Sequence, residues 1–243
     1  MPKKQTDDEI DDIQDAMARR AKGATMQERV YNELRRSLMT GVFVPGEKVS
    51  LRTLAEQIGT SMMPVREAIN RLVAERAFEV LPNRQVKVPV MTAERFAEIA
   101  YWRTQLEAAA VRAACKNMTP AVIKKLEAIN QRIINAAAKD RRDELLPNNY
   151  DFHFTIYRQA KSETLLPMIE SLWLQEGPFT YYSIPSPKAL WDASHHSDII
   201  KALKKGDGEA AAKALVEDIQ ATSEYLKQGG YYEPPRVNRI VSA

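Results

Sequence analysis

The sequence predicts a mostly α-helical protein in two parts: an N-terminal helical domain closed by a small β hairpin, and a C-terminal all-α antiparallel bundle. Three observations predict it. Apolar residues recur at spacings of three and four along most of the chain, the mark of helices that bury one face. One short stretch, Val86, Val88 and Val90 behind Pro82-Asn83-Arg84, alternates instead, as a strand does after a turn. In the C-terminal half, Arg103, Asn149 and His153 stand where helical spacing calls for apolar side chains. Burying such groups costs roughly a few kcal/mol each unless something pairs with them, so the bundle is expected to enclose a polar guest.

Each element follows from local signals. From Gln27 to about Thr40, Val30, Leu34 and Leu38 recur at spacing four with Arg35 and Arg36 turned outward, giving an amphipathic helix. Gly41 and Pro45-Gly46 stop it. Ser50 caps a short helix carrying Leu51, Leu54, Ala55 and Ile58, which Gly59 ends. Ser61 caps the next, where Val65, Ala68, Ile69, Leu72 and Val73 face inward. Pro64 falls in its first turn, where the missing N–H costs nothing. Helix, short helix, three-residue turn, helix and hairpin make a winged helix-turn-helix plan. From Ala93 the pattern is helical throughout, over 93–116, 119–138, 143–160, 163–184, 188–205 and 208–227, with breaks at Asn117, Pro147, Pro185, Pro187 and Gly206. The expected organisation is a tail (1–25), a DNA-reading domain (26–90), a helical bundle (94–228) and a second tail (229–243).

Bulk properties narrow the function. At 243 residues, 44% hydrophobic and 28% charged, the chain suits two modest globular domains. Residues 17–90 carry 13 Lys and Arg against 7 Asp and Glu, and the region from 91 onward is nearly balanced. A basic N-terminal domain suits a polyanion. The single cysteine, Cys115, forms no intrachain disulfide and reads as a small thiol in an Ala-rich helix. No apolar run approaches the roughly 20 residues that span a bilayer, and Asp7, Asp8, Asp11 and Asp12 interrupt any signal-peptide core. A cytoplasmic location with no membrane partner is the expectation.

At the start of the second helix of a helix-turn-helix, side chains meet base edges while flanking basic groups fix phosphates. The candidates are Ser61, Met62, Met63, Arg66 and Asn70, with Arg52 on the preceding helix and Asn83, Arg84 and Lys87 on the wing. Arg66 can fork onto guanine O6 and N7 or pair with phosphate. Ordinary solvated surface charge is the alternative reading.

The stretch Val44-Pro45-Gly46, Leu54-Ala55, Ile58-Gly59, Ser61, Pro64-Val65-Arg66-Glu67-Ala68 and Leu72 resembles the signature of GntR-type bacterial transcription regulators, from about Arg29 to Val90. The resemblance implies a homodimer on palindromic operator DNA, contacted through Arg52, Arg66 and the wing. Met62 stands where the family often has a basic residue, leaving an apolar contact such as a thymine methyl. Gln85 replaces a wing glycine.

Arg103 with Leu106-Glu107, Asn149 with Phe152-His153, then His196, Ile199, Ala202-Leu203 and Gly206-Asp207 resemble the all-helical FCD effector domain of the FadR-like subfamily. In many members an Asp and three His hold a divalent metal beside a carboxylate effector. Carried over, the set here is Asn149, His153, His196 and Asp218: Asn replaces the Asp, and Asp218 stands where the third His is expected. Two imidazoles and a carboxylate suit zinc first, with nickel, iron and manganese also admissible. The resemblance gives Arg103 the effector's acid group, since a guanidinium forks onto a carboxylate. Tyr181 and Tyr182 are candidate hydroxyl donors to a small organic or sugar acid. The competing readings are a salt bridge from Arg103 to Glu107, core packing for the tyrosines, a hydrogen-bonded core imidazole for His153 and a surface carboxylate for Asp218.

The function expected is thus a dimeric regulator, on balance a repressor, whose operator affinity changes when a carboxylate metabolite binds. Two other classes stand beside it. One is a metal-dependent enzyme, disfavoured because no His-Glu-x-x-His pair, nucleophile elbow or phosphate loop is present. The other is an architectural DNA-binding protein with a structural metal.

Overall fold

The computed structural model describes residues 24–82, 85–182 and 194–228. The first 23 residues of the predicted N-terminal tail, the C-terminal tail, the wing-tip residues Asn83 and Arg84, and the breaks at Pro185 and Pro187 lie outside them; Thr25, expected in the tail, instead caps the first helix.

Helix α1 (Met26–Met39) begins at a capping box: the Thr25 hydroxyl accepts from the Glu28 N–H while the Glu28 carboxylate accepts from the Thr25 N–H, satisfying two otherwise orphaned donors. After β1 (Lys48–Val49), Ser50 caps α2 (Leu51–Ile58) and Gly59 ends it at φ +73°, a conformation open to glycine at no steric cost. Helix α3 (Met62–Ala74) packs on α1 and α2. Ser61 occupies its N-cap but makes no side-chain capping bond. The reason is local: Pro64 is the third helical residue, so the N–H that a capping serine would take is absent.

The predicted hairpin is present as β2 (Glu79–Val80) and β3 (Val86–Lys87), and β1, which was not expected, completes a three-stranded antiparallel sheet in the order β1-β3-β2. Lys48 and Glu79 both lie opposite Lys87.

The second part comprises α4 (Ala93–Cys115), α5 (Pro120–Ala138), α6 (Arg142–Arg158), α7 (Leu165–Glu176), a 3₁₀ turn (Gly177–Tyr181), α8 (Ser194–Lys205) and α9 (Gly208–Gln228). Helix α4 packs against α6, α7 and α9, while α8 lies on α5 and α9. Two expectations are corrected. Pro147 does not break α6 but lies inside it, in the second turn, where only one backbone bond is forfeited. The helix expected over 163–184 stops at Glu176, because Gly177-Pro178 tightens the chain into the 3₁₀ turn.

The apolar core is continuous between the two parts. Leu34 and Leu38 of α1 belong to the same buried cluster as Phe152, Phe154 and Trp173 of the bundle. A satellite cluster of Met91, Phe96, Ile99, Phe179 and Leu226 seals the junction. Ion pairs from Arg35 to Glu170 (3.0 Å) and Arg36 to Asp151 (3.1 Å) cross it at the surface of α1.

Candidate functional site

The nucleic-acid face is set by α3. Its apolar stripe of Val65, Ala68, Ile69 and Leu72 is buried, which turns Ser61, Met62, Met63, Arg66 and Asn70 outward. Met62 and Met63 are 49% and 67% exposed, an unusual amount of thioether to leave in water at a helix start. Among the described residues Arg66 has no ion-pair partner, whereas Arg52 is paired with Glu56 on its own helix at 2.9 Å. Such an exposed pair is worth little and is easily exchanged for phosphate. Lys87 is held by Glu79 across the β2–β3 pair at 2.7 Å, which draws its ammonium back onto the sheet.

In the bundle, three helices bring together His153 (α6), His196 (α8) and Asp218 (α9), their ligand atoms all within 4.8 Å of one another. His153 and His196 are buried and Asp218 is half-buried. The tautomers follow from the partners. The Asn130 carboxamide oxygen, 3.3 Å from His196 Nδ1, can only accept, so that nitrogen carries the proton. The Tyr157 hydroxyl spends its own proton on Glu107 and therefore accepts from His153 Nδ1 at 3.2 Å. Both Nε2 lone pairs consequently face Asp218 Oδ2, at 3.5 Å from His153 and 3.9 Å from His196. Phe152 stacks on the His196 ring with centroids 4.0 Å apart, fixing its plane.

Burial depresses both histidines, His153 well below its ordinary value and His196 to about 3, and pushes Asp218 up to about 6. Neutral imidazoles aimed at a carboxylate present acceptors to one another without a shared proton, and a cation resolves that conflict. Asn149, one turn before His153 on α6, has a buried side-chain oxygen with no hydrogen-bond partner among the described residues. His153, His196 and Asp218 thus form a donor set of the kind that can hold a divalent cation, with ring nitrogens anchored from behind as metal-binding histidines are.

Arg103 differs from the expectation of a free fork. It is buried on α4 and already engaged: Nε and Nη2 donate to Glu107 at 2.6 and 3.2 Å, and Nη1 donates to Glu176 at 2.7 Å. The competing reading of an Arg103–Glu107 salt bridge therefore holds, with a second carboxylate added. Glu107 also accepts from Trp173 Nε1 at 2.9 Å, and the guanidinium lies over the Trp173 ring, 4.4 Å from its centre. Glu176 Oε2 is buried without a hydrogen bond among the described residues, and burial raises this carboxyl above its usual range against the pull of Arg103. One guanidinium thus serves two carboxyl groups at the bundle centre.

The tyrosines are placed elsewhere. Tyr181 is partly exposed in the 3₁₀ turn with Arg142 over its ring at 4.5 Å. Tyr182 packs on the satellite cluster. His195, the residue before His196, is half-buried. Sequence reasoning missed four residues of the site. Tyr157 and Asn130 carried a signal, one turn after His153 and between Ile129 and Ile133 respectively. Trp173 and Glu176 carried none.

A winged helix that leaves a reading helix exposed, joined to a helical bundle with a polar centre, has the plan of a DNA-binding regulator. Residues 26–88 match the bacterial regulatory proteins of the gntR family, and residues 98–221 match the FCD domain. The chain belongs to the GntR family, FCD-containing branch. It is 32% identical over 203 residues to the HTH-type transcriptional regulator McbR of Escherichia coli K12, covering 82% of this chain and 92% of McbR. It is 26% identical over 207 residues to the E. coli repressor RspR, covering 84% and 90%. The solved structure of E. coli McbR/YncC superposes with a TM-score of 0.79 at 31% identity, covering 85% of this chain and 99% of that one. A putative GntR regulator from Rhodococcus sp. RHA1 shares the fold at a TM-score of 0.68 and 22% identity, covering 84% and 99%. These relatives are transcription regulators, not enzymes.

Proposed function

We propose that this regulator is a homodimeric repressor whose affinity for a palindromic operator is set by what the bundle centre holds. The reading is of a divalent cation on His153, His196 and Asp218 with Asn149, joined by a small organic or sugar acid. The observation that carries it is the convergence of two proton-free imidazole nitrogens and a carboxylate in one cluster, with the buried, unsatisfied amide oxygen of Asn149 one turn before His153. A cation is what such a donor set binds, and zinc fits its nitrogen-rich half best. A cation with positions left open in turn attracts a carboxylate, which an acid-rich centre would otherwise repel. DNA contact belongs to Ser61, Met62, Met63, Arg66 and Asn70, with Arg52, the wing residues Asn83 and Arg84, and Lys87 once released from Glu79. Operator binding places the protein with the bacterial chromosome, in the cytoplasm.

Anisotropy titration on the promoter DNA that the protein protects from nuclease tests this. Chelation followed by zinc replacement is expected to shift the operator affinity 5- to 150-fold, the span of about 1–3 kcal/mol of coupling. Equal affinity in both states overturns the reading. Arg66→Ala is expected to cost about 1–3 kcal/mol of operator binding in the same assay.

A further inference from the structure

We infer that Glu176 is a built-in stand-in for the effector's acid group: it occupies Arg103, and an incoming carboxylate exchanges with it and thereby moves the DNA-reading domain. The inference rests on the proposal that a carboxylate enters the bundle, and it adds which residue yields and where the motion goes.

Arg103 has two carboxylate partners of unequal standing. Glu107 is fixed by four donors, two from Arg103 and one each from Tyr157 and Trp173. Glu176 is held at one oxygen only, by Arg103 Nη1, and its other oxygen is buried without a hydrogen bond among the described residues. A half-satisfied buried carboxyl is the partner that gives way, because its unbonded oxygen has already lost its water. A ligand carboxylate that also ligates a cation brings the same charge to Arg103 with better compensation.

The second observation lies at the next residue of the chain. Gly177 approaches α1 so closely that a Cβ built there would overlap the Leu38 carbonyl oxygen and lie 2.6 Å from Met39 Cα. Gly41, at φ +66°, answers from the other side: its Cβ would lie 2.9 Å from Thr180 Oγ1 and 3.3 Å from the Tyr181 amide nitrogen. Backbone therefore rests on backbone at the seam between sensor and reader, one residue from the exchangeable carboxylate. Side chains can absorb a shift by changing rotamer, but main chain in direct contact cannot. Withdrawal of Glu176 from Arg103 turns the end of α7 and pushes the end of α1.

The test uses full-length wild type and Glu176→Gln, with Glu209→Gln as a surface control, since Glu209 pairs with the exposed Arg112. Hydrogen–deuterium exchange of amides 38–43 is expected to quicken at least fivefold in Glu176→Gln and stay unchanged in the control. Sodium malonate titrated into the zinc-treated proteins, followed by tryptophan fluorescence, is expected to bind Glu176→Gln at least tenfold more tightly than wild type. Unchanged exchange, or malonate affinities that are equal or absent in both proteins, overturns the inference. Zinc binding, read by thermal shift, separates the two levels: if zinc binds both proteins the exchange alone is wrong, and if it binds neither the underlying reading is wrong. Glu176→Met, close in volume and uncharged, replaces the glutamine variant should that one fail to fold.

Discussion

Glu107 accepts hydrogen bonds from three side chains on three helices at the bundle centre. It is fully buried and ties α4 to α6 through Tyr157 and to α7 through Trp173, while neutralising Arg103. Removing it leaves a guanidinium, a hydroxyl and an indole N–H underbonded in a dry interior, and breaking a buried pair from one side typically costs about 3–5 kcal/mol. Glu107→Ala is accordingly expected to lower stability by that amount in urea unfolding, with Glu107→Gln milder because it retains an acceptor oxygen. Part of this network was legible in the sequence: Arg103 and Glu107 are one helical turn apart, and pairs at that spacing meet by geometry. Glu176 was not, since it lies 73 residues from Arg103 and nothing local marks it as inward. The histidines were legible as inward residues because each sits among apolar neighbours at helical spacing. Their Nε2 orientation was not, because it depends on Asn130 and Tyr157 from behind.

Elements built from side-chain periodicity were readable, and those built from backbone contact were not. The helices of both parts announced themselves through their buried stripes and caps. Strand β1 is two residues long, too short to alternate, and exists only because β3 lies beside it. The end of α7 did have a marker in Gly177-Pro178, a pair that discourages helix continuation. Gly177 and Gly59 separate two uses of glycine. At Gly59 the backbone is left-handed but nothing lies within 4 Å of a built Cβ, so Gly59→Ala should cost only the conformational penalty, about 1–2 kcal/mol. At Gly177 the added methyl meets the α1 main chain, and Gly177→Ala should cost about 3 kcal/mol, at the upper end for overpacking. Thermal unfolding of the two variants side by side distinguishes them, with the larger drop at Gly177.

For the protein as one body, a cation held by His153, His196 and Asp218 would be a cross-link among α6, α8 and α9. A ligand present at 100 times its dissociation constant adds about 2.7 kcal/mol to stability. For a domain of this size that corresponds to a rise of about 5–10 °C in Tm. Zinc added to chelator-stripped protein is expected to give such a rise, and His153→Ala to abolish it. The division into a DNA-reading part and a helical bundle, expected from composition and pattern, hides how thoroughly they are merged: Leu34 and Leu38 share a buried cluster with Trp173. Severing the chain near Met91 would strip oily surface bare on both fragments, so neither is expected to survive as a well-behaved piece. Grafting this bundle onto a foreign reader would require transplanting α1 along with it.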